Sequence, residues 1–330
     1  MHRTPICRAQ IPHCTWIWGV HNDSEYHLNI AQIIGKVKVD FTGKIFLFPE
    51  KYLKSTTFLG YNGLNSKKVG KAVEIKILAV GDVVGTPGLD CLRKHLPRLR
   101  RQHHIDFCVV NGENAAMVGM TASQGETIFD AGADVITLGN HTWNQREITT
   151  YLDDNRHVLR PANFAPQLPG SGAAIYDTDY GPIAVVNLIG RCGMDFNADN
   201  PFTRIDTILK KLEGLPVLVD FHAEATSEKL AMGFMLDGKV AALWGTHTHV
   251  PTADLRILPK GTGYISDLGM TGPMNSALGV DPEQSIAMFR GELTNRFKAA
   301  PGPRWLCGAV FTLDWERNCC VETEQILISE

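Results

Sequence analysis

From residue 75 onwards, short apolar runs alternate with longer amphipathic segments. Three of these runs have the length of buried strands: IKILAV, DFCVVN and VITLG. A helix is predicted after the first run, with Pro87 near its first turn and basic residues in its last turn. A second helix opens at Thr121, which forms a capping-box pattern with Gln124, and closes at Gly132. This order predicts a parallel sheet with right-handed crossovers.

The second half of the chain mixes hairpins with alternating strands and helices. The predicted elements are, in order, a hairpin over 173–190 with its turn at Tyr180, Gly181 and Pro182, a helix over 201–213, the strand PVLVDF, a helix over 226–237, the strand VAALWG, a hairpin over 253–269, and an antiparallel pair over 305–315 and 319–328. A parallel half followed by an antiparallel half predicts an α/β (α+β) domain over residues 75–330. We expect a four-layer α/β/β/α sandwich of two mixed sheets with helices outside.

Residues 1–74 do not follow this pattern. They carry ten Lys or Arg against five Asp or Glu, whereas the remainder carries 22 against 30. The stretch VKVDFTGKIFLFPEKY contains alternating pieces typical of short strands, but no clear helix to cover them. We therefore expect a poorly ordered N-terminal extension or an extended gene start. The acidic remainder argues against broad binding to DNA phosphates and suits a pocket that concentrates multivalent cations.

Composition sets further limits. With 330 residues, 44% of them apolar, the chain can bury a substantial core without a metal or disulfide merely to fold. The eight cysteines form no CxxC pair, so we interpret them as reduced thiols. No run of eighteen apolar residues occurs, so no membrane span is expected. No export signal is recognisable either, which makes the cytoplasm the expected location.

Polar side chains follow five of the predicted strands at the point where each strand ends. Short loops at the carboxyl ends of strands in an open α/β sheet bring residues distant in sequence into one crevice, so we expect these side chains to converge. Each alone has a plainer interpretation, as a helix cap, a solvated loop acid or a hydrogen-bonded core histidine. Together they are hard to explain as capping. The candidates are Asp82, Glu113, Asn114, Asn140, His141, His222, His247 and His249.

These residue types indicate metal chemistry. Carboxylates, neutral imidazoles and Asn carbonyls, with no Cys nearby, favour Fe, Mn or Zn over a closed thiolate site. Eight candidates exceed what one tetrahedral ion needs. They suit two ions roughly 3.5 to 4 Å apart, bridged by a carboxylate, which clamp the attacking and leaving oxygens of a phosphoryl displacement. Gly139 ends its strand just before Asn140 and would let the backbone approach a bound group closely.

Six motifs, in this order, resemble the calcineurin-like metallophosphoesterases and specifically the YmdB-like phosphodiesterases: GDVVG, NGEN, GNHTW, FHAE, GTHTHVPTAD and SDLGMTGP. The resemblance covers about residues 75–328. It implies two divalent or trivalent ions, with iron expected first and manganese or zinc as alternatives. The ligands it implies are Asp82, Asn114 and His249 for one ion, Asn140, His222 and His247 for the other, and Glu113 as the bridge. His141 would face the substrate without binding metal.

The resemblance also implies hydrolysis of 2',3'-cyclic nucleotides, with 3',5'-cyclic nucleotides as further substrates. A hydroxide formed at the ion pair would attack phosphorus, and protonated His141 would stabilise the developing charge or protonate the leaving oxygen. Asn144 stands where we would expect Asp, which bears on the charge and orientation of His141. Residues 270–273 read either as a loop lining the substrate side or as a surface turn.

Two other functions stay open at this point. One is a phosphomonoesterase of nucleotide-like substrates. The other is a metal-loaded regulator that binds RNA ends or cyclic nucleotide without turnover, because a fold does not guarantee an activity. A small-molecule phosphodiester is the expected partner, and a homo-oligomer is compatible with the sequence.

Overall fold

The computed structural model describes residues 73–194 and 197–330, together with two short strand pairs nearer the N-terminus. There, β1 (Gln10–Ile11) pairs antiparallel with β2 (Cys14–Thr15), and β3 (Val37–Val39) pairs antiparallel with β4 (Ile45–Leu47). The second pair confirms the strand pieces predicted in VKVDFTGKIFLFPEKY. The other residues of the expected extension lie outside the described residues, so poor order or an extended gene start stays a prediction.

The body of the chain carries the remaining strands and all of the described helices. They are β5 (Glu74–Val80), β6 (Asp82–Val83), α1 (Gly85–His103), β7 (Phe107–Asn111), α2 (Ala122–Asp130), β8 (Val135–Thr137), α3 (Ile148–Asp154), β9 (Val158–Leu159), β10 (Ala173–Thr178), β11 (Gly181–Ile189), α4 (Pro201–Leu209), β12 (Val217–His222), α5 (Thr226–Leu236), β13 (Ala242–Thr246), β14 (Arg256–Ile257), β15 (Gly263–Ile265), β16 (Met270–Pro273), α6 (Pro282–Phe289), β17 (Arg304–Asp314) and β18 (Cys319–Ser329).

Two mixed sheets are formed. The first has the order β6-β16-β17-β5-β7-β8-β9, with β18 also paired to β17, and β5, β7, β8 and β9 run parallel. The second has the order β10-β11-β12-β13-β15-β14, with a parallel centre and antiparallel edge strands. The expected two mixed sheets are therefore confirmed. The antiparallel hairpins are part of these sheets: β10-β11 and β14-β15 lie in the second sheet, and β17-β18 lies in the first.

Three hydrophobic clusters separate four layers. Leu78 of β5 lies in a cluster with side chains of α1, α2 and α3. Its neighbour Ile77 points to the opposite face, as alternation along a strand requires, and lies in a cluster with Leu218 of β12. The next residue of β12, Val219, lies in a third cluster with Met232 of α5. Each sheet thus buries both faces, which confirms the predicted α/β/β/α sandwich.

Most local predictions are confirmed, and a few are wrong. The capping box at Thr121 is present, because its side chain accepts from the Gln124 backbone while the Gln124 side chain accepts from the Thr121 backbone. The first hairpin turns one residue earlier than expected, because Thr178 already pairs with Gly181. Residues 270–273 are neither a loop nor a surface turn, since they form the buried strand β16 between β6 and β17. Helices α3 and α6 were not anticipated.

The cysteines and the helices bear on two expectations from composition, reduced thiols and the lack of a membrane span. The six cysteines in the described part of the chain are all free thiols. Among the described helices, none combines the length and the apolar character that a membrane crossing requires.

Candidate metal centre

The eight candidate residues come from the ends of five strands of both sheets. Asp82 follows β5, Glu113 and Asn114 follow β7, Asn140 and His141 follow β8, His222 ends β12, and His247 and His249 follow β13. The convergence is direct, because the backbone N of His247 donates to Oδ2 of Asp82 at 3.2 Å across 165 residues of sequence. The predicted crevice at the carboxyl ends of the strands therefore exists.

One group of acceptor atoms surrounds Nε2 of His222. Oδ1 of Asn140 lies 2.8 Å away, Oε1 of Glu113 lies 3.0 Å away, and Nδ1 of His247 lies 3.1 Å away. His222 and Glu113 are buried to 1% exposure or less. Oxygen and imidazole nitrogen atoms that face one another in a buried space need a cation or protons between them. These four residues fit one metal ion.

A second group centres on Oδ1 of Asp82. Nε2 of His249 lies 3.7 Å from this oxygen, and the same Nε2 lies 3.1 Å from Nδ2 of Asn114. Asp82 is fully buried, and its Oδ1 has no hydrogen-bond partner among the described residues. A buried carboxylate oxygen without a partner is costly unless it binds an ion or a water molecule. Asp82, Asn114 and His249 therefore fit a further ion.

Glu113 stands between the two groups. Its Oε1 lies 3.0 Å from Nε2 of His222 and accepts from Nδ2 of Asn114 at 3.2 Å, so it contacts a member of each group. Its Oε2 accepts from the backbone N of His141 at 3.1 Å. This position suits the bridging role that the sequence predicts for it.

The pKa shifts follow from burial and from the charges packed together. Burial raises the pKa of Asp82 to about 6, although His249 and His222 act to lower it. Burial opposes the charged form of Glu113, but the positive charge of His222 holds its pKa at about 2. Burial also opposes charge on His222, yet Glu113 and Asp82 raise its pKa to about 9. Burial and the charge of His222 lower the pKa of His247 to about 3. The carboxylates thus hold one positive charge at His222, where a metal ion would replace the proton.

Gly139 is required by the close approach of the chain to these ligands. A Cβ atom at this position would lie 2.3 Å from Oε2 of Glu113 and 2.4 Å from Nε2 of His222. Such distances are far below van der Waals contact, so any larger residue would displace the ligands. The close backbone approach expected at this glycine is present toward the side chains of Glu113 and His222, and approach to a bound group stays a prediction.

His141 lies at the edge of the centre. It is partly buried, and it contacts the ligands through its backbone. Asn144 is exposed, and its backbone N donates to the backbone O of His141 at 3.0 Å. Within the described residues, no hydrogen bond joins the two side chains, so Asn144 does not orient the imidazole. The acid role of His141 stays a prediction.

Several residues around the centre were not anticipated from the sequence. Thr246 and Asp220 form buried hydrogen bonds that reach His222. Lys229 of α5 forms a buried ion pair with Asp267 at 2.6 Å, and Asp267 accepts from the backbone N of Thr248, between two candidate ligands. The available signal was weak: a single polar residue inside an apolar run, such as the Asp in PVLVDF.

Two mixed sheets between helical layers, with the candidate ligands at one strand edge, define a fold of the metallophosphoesterase type. The family described as YmdB-like protein matches residues 78–326, and the chain belongs to this family. The 2',3'-cyclic-nucleotide 2'-phosphodiesterase of Bacillus subtilis (strain 168) is 44% identical over 259 residues, covering 78% of this chain and 98% of that protein.

Solved structures agree with this assignment. A hypothetical protein from Thermus thermophilus is 37% identical with a TM-score of 0.73, covering 78% of this chain and 100% of that chain. A protein described as a novel phosphatase from Mycoplasma pneumoniae is 36% identical with a TM-score of 0.75, covering 79% of this chain and 95% of that chain. The predicted family is confirmed.

Proposed function

We propose that the protein is a metal-dependent phosphodiesterase that hydrolyses 2',3'-cyclic nucleotides, and 3',5'-cyclic nucleotides as further substrates. The observation that carries this proposal is the convergence of two buried acceptor groups around Glu113, with an unpartnered carboxylate oxygen on Asp82. The name of the Bacillus subtilis relative supports the substrate class.

The ligand assignment is part of the proposal. Asp82, Asn114 and His249 would hold one ion, Asn140, His222 and His247 the other, and Glu113 would bridge them. Iron is the first choice, with manganese or zinc as alternatives, because the donors are carboxylate, amide and imidazole. Within the described residues, Glu113, His222 and His247 also form a cluster of three metal-binding side chains whose ligand atoms lie within 4.8 Å of one another.

The chain's own groups would then perform the reaction as follows. Cations held by these ligands would lower the pKa of a bound water molecule and neutralise charge on the phosphate oxygens. Glu113 accepts from the backbone of His141 and so holds the loop that carries this imidazole next to the centre. Protonated His141 would donate its proton to the leaving ribose oxygen, a contribution of about 10² to 10⁴ in rate.

A phosphomonoesterase is the second candidate. It is favoured by the description of the Mycoplasma pneumoniae structure as a novel phosphatase. The same ligands would serve both reactions, and the choice depends on whether the site accepts one or two ester groups on phosphorus.

RNA ends that carry a 2',3'-cyclic phosphate have the same reactive group, so we include them among the proposed substrates. A homo-oligomeric assembly and a cytoplasmic location stay predictions.

The test compares substrates on one preparation purified without chelator. Elemental analysis is expected to find two metal ions per chain. Turnover is then measured on 2',3'-cyclic AMP, bis-p-nitrophenyl phosphate and p-nitrophenyl phosphate. We expect the two diesters to be preferred, and removal of metal by a chelator to abolish turnover until metal is returned. A clear preference for the monoester would favour the second candidate, and two bound ions with no turnover on any substrate would indicate a binding protein.

A further inference from the structure

A chain of buried hydrogen bonds runs from Asp220 through Thr246 to His222. Oγ1 of Thr246 lies 2.7 Å from Oδ1 of Asp220 and 2.9 Å from Nδ1 of His222. All three residues have 0% exposure. Asp220 and Thr246 are additional to the eight candidate residues, and neither contacts the space between the proposed ligands directly.

The other oxygen of Asp220 is occupied from the opposite sheet. Oδ1 of Asn111 accepts from the backbone N of Glu113 at 3.2 Å, which directs Nδ2 of Asn111 toward Oδ2 of Asp220 at 3.3 Å. The hydroxyl of Thr137 donates to the same Oδ2. An ionised carboxylate can only accept hydrogen bonds, so Asp220 offers its Oδ1 as an acceptor to Thr246.

These contacts fix the direction of the hydrogen bond between Thr246 and His222. The Thr246 hydroxyl has one proton, and at 2.7 Å from a carboxylate oxygen that proton must point to Asp220. The hydroxyl oxygen can then only accept from His222, so Nδ1 of His222 carries a proton. The second proton of the cationic ring then lies on Nε2, which faces Oδ1 of Asn140 and Oε1 of Glu113, and this is the proton that a metal ion would replace.

We propose that Asp220 and Thr246 are positioning residues that hold His222 with Nδ1 protonated and so present its Nε2 to a metal ion. This inference rests on the proposed metal centre. An acceptor on the far nitrogen of a metal-binding imidazole fixes the ring and raises its basicity. Here the acceptor is a hydroxyl whose own proton is held by a buried carboxylate.

The same network joins the two sheets beneath the centre. Asn111 ends β7 and Thr137 ends β8 in the first sheet, whereas Asp220 lies in β12 and Thr246 ends β13 in the second. The orientation of His222 therefore depends on the packing of one sheet against the other, and not only on its own strand.

The test uses a matched pair at one position. Thr246→Val removes the hydroxyl with almost no change of shape, and Thr246→Ser keeps the hydroxyl. Each full-length protein is stripped of metal and titrated with Zn²⁺ against a chromophoric chelator. We expect Thr246→Val to weaken the binding of one of two ions by about 10- to 100-fold, the usual effect of losing such a partner. Thr246→Ser should stay within a few-fold of the parent protein.

A further variant, Thr137→Val, and an NMR measurement distinguish a positioning role of Thr246 from a purely structural one. Thr137→Val removes a hydrogen bond from the same carboxylate without touching His222, so it should lower the urea midpoint of the metal-free protein but change Zn²⁺ affinity little. In the Zn²⁺-loaded protein, the Nδ1 proton of His222 should give a slowly exchanging imidazole N–H signal in NMR that Thr246→Val loses and Thr246→Ser keeps.

The outcomes separate this inference from the proposed function. Equal Zn²⁺ affinity in the parent protein and Thr246→Val, or equal losses in the Val and Ser variants or in Thr137→Val, would overturn the positioning role. If Thr246→Val does not fold, the NMR signal of the Zn²⁺-loaded parent protein decides. A proton on Nε2 of His222, and none on Nδ1, would overturn the inference. If the Zn²⁺ affinities of the parent protein and the variants are as expected but the parent protein hydrolyses no phosphoester, only the proposed function is refuted.

Discussion

The two ends of the sheets present opposite kinds of polar surface. At the amino ends of β7, β8 and β9 lies a cavity of about 590 Å³, lined by Arg100, Asp106, Asp134 and Tyr180 among others. Two of its charged side chains form an ion pair: Nη1 of Arg100 lies 2.8 Å from Oδ2 of Asp134, which also accepts from the backbone N of Cys108 at 2.7 Å. At the carboxyl ends, Oδ1 of Asp82 has no hydrogen-bond partner in the part of the chain that the structure describes.

The two ends differ in whether buried polar atoms lack partners, and this feature indicates a metal site better than cavity volume does. The cavity at the amino ends is roomy, but within the described residues none of its lining atoms is a buried polar atom without a partner. The crevice at the carboxyl ends has an excess of acceptor atoms, among them Oδ1 of Asp82, Oε1 of Glu113 and Oδ1 of Asn140. Unsatisfied acceptors create affinity for a cation, whereas volume alone creates none. Single substitutions at the two ends should therefore have different effects on metal content and turnover.

The largest contrast is expected between alanine variants of two aspartates. Asp82→Ala removes the unpartnered carboxylate, so metal content should fall and turnover of the cyclic nucleotide should drop to background. Asp134→Ala at the amino ends should keep both bound ions and turnover. Elemental analysis and initial rates measure this contrast. Normal metal content and turnover in Asp82→Ala would remove the basis for distinguishing the two ends.

His141→Ala separates chemistry from metal binding at the carboxyl ends. Because the backbone N of His141, which alanine keeps, makes the hydrogen bond to Glu113, the metal content should be unchanged. Loss of the acid should lower kcat by about 10² to 10⁴. The measurement is kcat on the cyclic nucleotide at matched metal content. Full turnover in His141→Ala would show that another group protonates the leaving oxygen.

Lys229→Met tests the buried ion pair between Lys229 and Asp267, which lies near the carboxyl ends of the strands. Asp267 would remain buried at 1% exposure without its ammonium partner. Removing one member of a buried pair costs about 3 to 5 kcal/mol, so the free energy of unfolding of the metal-free protein should fall by that amount in urea. The double variant Lys229→Met with Asp267→Asn should recover part of the loss. Unchanged stability in Lys229→Met would mean that the pair is solvated.

The smallest effect is expected at the amino ends. Arg100→Ala removes the partner of Asp134, which is one-third exposed, so water compensates for most of the loss. We expect a decrease of about 1 kcal/mol in the free energy of unfolding and no change in turnover or metal content. A large loss of turnover in this variant would indicate that the cavity contributes to function.

Local sequence patterns predicted a large part of the fold and of the candidate centre. Apolar runs such as IKILAV and VITLG mark strands because burial of both sheet faces leaves few polar positions in them. The residues after these runs converge because parallel strands share one carboxyl edge. Strand β16 was missed because Gly272 and Pro273 lower its local strand propensity. Pairing with β6 and β17 overrides that preference.

Short-range sequence patterns predict most of the strands and the side chains at their carboxyl ends, because apolar runs and the polar residues after them are local features. The position of Asp82 beside His249, and the link from His222 through Thr246 to Asp220, follow from tertiary packing. Hydrogen-bond partners in a buried network are set by the packing of two sheets within tenths of an ångström, and no local pattern of residues encodes those distances.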